Sequence, residues 1–512
     1  MVGKNLSLGC VGAAALAWAS VASAAPTPAP AKPGKEGSVH VRCDGNPDNV
    51  STAETAARLI AITAVVGLLL PGPEQADISK RLKGADGVAA CTQALDGESN
   101  ATRRIQLILA RSVHQIEAGN FAAAIADAEL AERDQPDLAA TGSFKLSYHL
   151  SAMELQALAL LGSGKPQEAA DKAMAMGLAA PYDFVNMTRA ALYAQMTDRW
   201  GPAEERFYEQ LVRIYPDALT LRIAARQLGG DYRGAAEDAE TFQALARALS
   251  DKPAAYPSAQ AALAVALAGD MAKAEIHAKA AREAIEAQAA AGERDKTVAA
   301  AELLDLYRVL ELARTGQAGN ARLLFSGRSA WVKASAGAVA EVARILREGA
   351  RPEELTGLLA TEPAKFRSDA VAAAGKRLSE GEHLPRLRYA AIRAPIPQSA
   401  FGAYSGNVWR SGKSKYFIPT KVIPPEKGRL VNVARDGAGI PAGYALLLHT
   451  ALTARAEGKK SFMMLPGRRQ VAWHFVRIGD PSGAALVPAV SYDAERVIRD
   501  LSPLIPPPAP KR

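Results

Sequence analysis

Two stretches decide the fold: GNFAAAIADAELAERDQP over residues 119–136 and GKPQEAADKAMAMGLAAP over residues 164–181. Each opens on a glycine and closes on a proline. Between them lie Ala124, Ala128 and Ala131 in the first stretch and Ala169, Ala173 and Met176 in the second, at identical spacings. Residues three and four apart share one helix face. A small residue there lets a second helix cross closely, and proline then stops the run. Each stretch therefore reads as the second helix of a packed pair.

The frame recurs downstream. A third copy reads Trp200, Ala203, Phe207 and Pro216, with its proline one residue late, and a fourth reads Gly230-Asp231-Tyr232, Ala235, Ala239 and Phe242. Gly269, Ala274, Ala278 and Ala281 make a fifth. Gly316, Ala321 and Phe325 make a weaker sixth, with Trp331 expected to pack against its end. The crossing alanines 124, 169, 203, 235, 274 and 321 are separated by 45, 34, 32, 39 and 47 residues. Self-similarity at such periods signals stacked supersecondary units.

Glycine, aromatic, alanine, a small or aromatic residue and proline, in that order, resemble the tetratricopeptide repeat family over residues 100–330. The chain departs from the family in two respects. The first helix of each pair lacks the family's Trp and Leu-Gly, and several units are lengthened. The resemblance implies a mainly α protein, an α-solenoid of helical hairpins whose first helices line a concave groove. Aligned on the glycines, Gln106, Leu109, Val113, Glu154, Leu158, Thr188, Leu192 and Gln195 fall at the groove positions. None is Lys, Arg or Asn, so a clamp for a peptide carboxylate is not expected. The implied partner is a protein offering an apolar helix or an extended segment. The alternative occupant is the chain's own tails.

The flanks indicate the compartment. Residues 1–24 read as a secretory leader: a head with Lys4, an apolar stretch over 6–21, then Ala22-Ser23-Ala24 before the cleavage point. Cys10 has too little apolar sequence before it to read as a lipidation site. Residues 25–37 form a Pro- and Ala-rich linker. Cys43 and Cys91 remain after cleavage, and in an oxidising compartment the pair is expected to close the helical segment 38–99 as a disulfide. The apolar run over 59–70 is too short to span a bilayer as a helix. A periplasmic or secreted protein with no transmembrane span follows, with residues 331–393 as a helical cap to the array.

Residues 394–505 read as a small α+β domain: strand patterns near 408–409, 415–418, 430–433 and 470–478, helices at about 443–456 and 493–501, and Trp473 and Phe475 facing a core. A proline-rich tail, 506–512, is expected to be disordered. From 396 onward there are 17 Lys and Arg against 7 Asp and Glu, although the whole chain carries only +8. Lys413, Lys415, Lys459, Lys460, Arg468 and Arg469 fall near turns, a patch suited to an anionic envelope surface. It lacks the aromatic series that single-stranded nucleic acid requires.

The chemical alternative is the turn Gly437-Ala438-Gly439 with Gly443, placed between a strand and a helix as a phosphate cradle would be. Its spacing departs from the dinucleotide fingerprint, and Pro441 interrupts it. His449 and His474 lack partners at metal-ligand spacing. No G-x-S-x-G or H-E-x-x-H motif occurs, so no catalytic residue, metal or cofactor is assigned. The sequence points to a non-enzymatic scaffold or adaptor of the bacterial envelope. An enzyme or an anion-binding protein built on the 437–443 turn is the alternative.

Overall fold

The computed structural model describes residues 37–47, 76–249, 253–380, 388–409, 417–422, 429–433, 440–466, 473–480 and 486–508. Side chains of 417–433 and 465–475 are not among those described. The leader, the linker up to residue 36 and the apolar run 59–70 lie outside the described residues. The protein is mainly helical with a small antiparallel sheet. Its described residues divide into two compact units: those within 37–179 together with those within 378–397, and those within 180–377 together with those within 398–508. The run of hairpins is thus shared between the units rather than forming one block.

The first unit contains α1 (Val39–Asp44), α2 (Gly84–Asp96), α3 (Ala101–Glu117), α4 (Phe121–Arg133), α5 (Tyr148–Gly162) and α6 (Pro166–Ala179). Helices α3 and α4 pack as one hairpin and α5 and α6 as the next. Gly119 and Gly164, at φ 79° and 76°, make the tight reversals, a left-handed conformation in which a Cβ would be strained. Ala124, Ala128, Ala169 and Ala173 are fully buried where the helices cross. Cys43 and Cys91 form the expected disulfide, which ties α1 to α2. Both of these helices pack on α3.

Buried charge reinforces that attachment. The Arg103 guanidinium on α3 pairs with Asp44 at the end of α1, with side chains only 2% and 4% exposed. It also donates to the Asn46 carbonyl at 3.0 Å. The fully buried His114 ring sits 2.7 Å from the Cys43 carbonyl and 2.9 Å from Glu117. Gly87 on α2 makes room for it, because a Cβ there would lie 2.4 Å from the ring.

The second unit begins with α7 (Phe184–Ala194), α8 (Pro202–Ile214), α9 (Leu219–Leu228), α10 (Tyr232–Leu249), α11 (Ala255–Leu267), α12 (Met271–Ala290), α13 (Val298–Arg314) and α14 (Ala318–Ser326). These pack as four hairpins in sequence order. Ala235, Ala274 and Ala321 are fully buried at the crossings. Trp331 stacks on Phe325 with ring centroids 5.9 Å apart, closing the last hairpin.

The third copy differs from the expected frame. Ala203 is only half-buried, whereas Glu204 is 2% exposed and its carboxylate accepts from Arg199 Nε at 2.9 Å. Counted from Glu204, the buried Tyr208, Leu211 and Pro216 fall at the spacings of the first two copies. The proline is not late: the crossing residue is a paired glutamate in place of an alanine.

Residues 331–393 do not simply extend the row of hairpins. Helix α15 (Ala336–Arg347) packs against α9, α11 and α13, the first helices of three successive hairpins. Gly337 permits this close approach, since a Cβ there would lie 2.3 Å from the Gln227 carbonyl carbon. Tyr232 and Arg367 add to the contact, Arg367 donating both to the Leu228 carbonyl and to the Tyr232 hydroxyl. Helix α16 (Pro363–Ser379) carries Arg367.

The remainder of the second unit comprises α17 (Gln398–Val408), β1 (Phe417–Val422), β2 (Arg429–Val433), α18 (Ile440–Ala456), β3 (Ser461–Pro466), β4 (Trp473–Gly479), β5 (Tyr492–Asp493) and α19 (Ala494–Leu501). The sheet is antiparallel throughout, in the order β1-β2-β4-β3-β5. Val408 ends a helix rather than a strand, and β3 and β5 are additions to the sequence reading. Strand β3 packs against α18 and also against α8 of the hairpin region. The C-terminal elements therefore share a core with the repeats. The tail is partly held: the Trp409 indole donates to the Ile505 carbonyl at 2.8 Å, and the Ser405 hydroxyl to that of Pro506.

Candidate functional site

Most of the expected groove positions are buried or half-buried, and other segments of the chain pack near several of them. Leu109, Val113, Glu154, Leu158 and Thr188 are buried, and Gln106, Leu192 and Gln195 are half-buried. In the first unit α1 and α2 pack on α3, while Gln106 donates to the Tyr148 hydroxyl at 2.9 Å. On α5, Arg393 donates its backbone N–H to Ser151 Oγ at 2.9 Å and its guanidinium to Glu154 at 3.2 Å. Tyr389 anchors the same segment, its hydroxyl donating to the Asp44 carbonyl and its ring lying under Arg81. Thr188 turns inward, its hydroxyl donating to the Phe184 carbonyl at 2.8 Å. In the second unit α15 packs against α9, α11 and α13. The tails thus occupy positions that the sequence offers to a partner.

The proposed surface patch is only partly in view. Lys459 and Lys460 are exposed, and Lys459 pairs with Asp480 at 3.0 Å. Lys413, Lys415, Arg468 and Arg469 lie outside the described residues, as do Gly437 and Gly439. Gly443 lies inside α18, whose first turn accommodates Pro441, so this glycine does not open the helix. His449 is half-buried with Nδ1 3.1 Å from the Val408 carbonyl; burial lowers its pKa, and that hydrogen bond opposes the effect. The His474 side chain is not among those described, nor are those of Trp473 and Phe475. Among the described residues no three His, Cys, Asp or Glu are grouped to hold a metal, and no helix is long and apolar enough to cross a membrane.

A cavity of about 210 Å³ opens in the second unit, bounded by Tyr182, Gln210, Arg213, Ser461, Tyr492 and Arg496. The sequence reading missed it, because its walls come from α8, β3, β5, α19 and the turn before α7, which are remote in the chain. Aromatic packing holds its floor. The Tyr492 ring stacks on Phe462 at 5.2 Å and meets Tyr182 at 6.3 Å. The Tyr182 hydroxyl donates to Asp500 at 2.7 Å, and Gln210 donates to the Pro181 carbonyl at 2.8 Å. Burial raises the pKa of both tyrosines, so both stay neutral hydrogen-bond donors.

No protein-family model matches the chain, and no curated protein or solved structure matches it either.

Proposed function

We propose that this protein is a non-enzymatic interaction scaffold of the bacterial envelope, built from tetratricopeptide-like hairpins and working in the periplasm or outside the cell. The supporting observation is the repetition of one frame in six helical hairpins, five of them opening on a left-handed glycine. Such a framework presents rows of helix faces whose spacing is set by the hairpins, which suits recognition of another protein. The buried disulfide fits an oxidising compartment. Because α15 and the segment 389–393 fill part of the first-helix face, the partner's share is what stays accessible: the half-buried Leu192 and Gln195 on α7, and the apolar positions on second helices. Of the latter, Ile276 is 69% exposed and Leu323 is 75% exposed. An anionic surface contacted by the C-terminal lysines and arginines would be a second point of attachment.

The test is site-specific photo-crosslinking of the full chain in its native compartment. A crosslinker at Leu192, Gln195, Ile276 or Leu323 is expected to yield one discrete partner band that is absent when it replaces Arg233, whose side chain is 91% exposed. Identical adduct patterns at all five positions, or none at any, would end the scaffold reading.

A further inference from the structure

The cavity beside Tyr182 has a polar lining that the scaffold reading does not use. Two hydroxyl-bearing side chains line it. Tyr492 is 3% exposed and Ser461 is 6% exposed, and both border the cavity. A hydroxyl on the wall of an open cavity is available to a small molecule that enters it. Both hydroxyls can donate.

The charged groups at the rim bias the choice. Arg213 from α8 and Arg496 from α19 border the cavity. Arg213 pairs with Glu209 one turn away, and Arg496 lies 3.8 Å from Asp500, a loose contact that leaves donors of its guanidinium to spare. Asp493 is engaged as the cap of α19, accepting from the Arg496 backbone N–H at 2.7 Å. Two cations already partly offset by nearby carboxylates suit one negative charge better than two. Pro488 and Val497 complete the lining with apolar surface. At about 210 Å³ the space falls below the range typical of drug-sized ligands, so the occupant is small.

We propose that this cavity binds a small monocarboxylate, with the Tyr492 and Ser461 hydroxyls and the Arg213 and Arg496 guanidiniums as donors to its oxygens. Planar guanidinium matches planar carboxylate, and charge-assisted hydrogen bonds in a partly enclosed site are the stronger kind. The short aliphatic part lies against Pro488 and Val497. If the ligand is an amino acid, its ammonium falls to Asp493.

Isothermal titration of the purified full-length protein with propionate, alanine and inorganic phosphate, at constant ionic strength, tests this. Propionate or alanine should bind at one site per chain. Tyr492→Phe keeps the ring against Phe462 and removes only the hydroxyl, and Arg496→Ala removes an exposed cation; each should weaken binding about tenfold or more. Alanine binding more tightly than propionate supports the proposal and assigns the ammonium to Asp493, while equal binding supports recognition through the carboxylate alone. Urea unfolding of each variant checks the fold, and Ser461→Ala replaces Tyr492→Phe if that variant is unstable. Absence of carboxylate binding at millimolar concentrations, binding of phosphate alone, or unchanged affinity in both variants overturns the proposal. Because the scaffold reading is tested by crosslinking elsewhere, either can fail without the other.

Discussion

Glu117 offers the sharpest test of how the first unit is held together. It ends α3, where the helix dipole disfavours a negative charge, and its side chain is only 9% exposed. Burial alone pushes its carboxyl upward. The hydrogen bond from His114, the charge of Arg81 at 3.1 Å and the Gly84 N–H at 3.2 Å outweigh burial and lower the value from 4.5 to about 2. The gap between those values corresponds to ~3 kcal/mol. Since the folded value is the lower one, this stabilisation is complete at pH well above 4.5 and fades as pH falls towards 2. By linkage it is still ~3 kcal/mol at pH 7 and only ~1 kcal/mol at pH 3. Glu117→Gln should therefore destabilise the unit by ~3 kcal/mol at pH 7 and by ~1 kcal/mol at pH 3. Hydrogen exchange across Ala101–Glu117 in a urea series reads this directly, and it separates the first unit from the second. A loss that is equal at both pH values, or below ~1 kcal/mol at pH 7, would show that the Arg81–Glu117–His114 cluster does not carry the attachment.

Four further outcomes follow from the packing. The Cys43–Cys91 bridge closes a separation of 48 residues, so Cys91→Ala should lower stability by ~4 kcal/mol in the loop-entropy model, read as a drop in the urea midpoint of the first unit; an unchanged midpoint would refute this. Arg103→Ala strands the buried Asp44 carboxylate and should cost ~3 to 5 kcal/mol by the same assay, while the further change Asp44→Asn should recover part of the loss. Gly337→Ala drives a Cβ to 2.3 Å from the Gln227 carbonyl carbon, so it should destabilise by ~1 to 3 kcal/mol and speed exchange over Ala336–Arg347. Gly319→Ala, where an added Cβ meets nothing within 4 Å, should instead be neutral or stabilising by up to ~1 kcal/mol.

The comparison of sequence and structure turns on what periodicity can and cannot encode. The hairpins were legible because each needs a residue able to reverse the chain and small residues at the crossing, and Gly119, Gly164, Gly230, Gly269 and Gly316 with their alanines supply both. Glu204 escaped notice for the same reason: a glutamate at a crossing looks solvated until Arg199 is seen beside it. The cysteine pairing was legible from their number together with the expected export to an oxidising compartment. The cavity was not, since its walls come from distant parts of the chain and nothing local in the sequence marks them.

The groove shows the limit most clearly. Alignment on the glycines selected eight expected groove positions, of which Leu109, Val113, Glu154, Leu158 and Thr188 are buried. An amphipathic pattern states that a face must be covered, yet it is silent on whether the cover is a partner or the chain itself. Gly337 passed unremarked in the sequence, a glycine inside a helical run where alanine would otherwise be favoured. Its meaning emerged only with the Gln227 backbone opposite. Once α15 and the segment 389–393 lie on the first helices, that face behaves as interior, and substitutions there should register as lost stability before lost binding. Recognition must then be sought on surfaces the fold leaves uncovered, which is why the crosslinking positions include the outer residues Ile276 and Leu323 as well as Leu192 and Gln195.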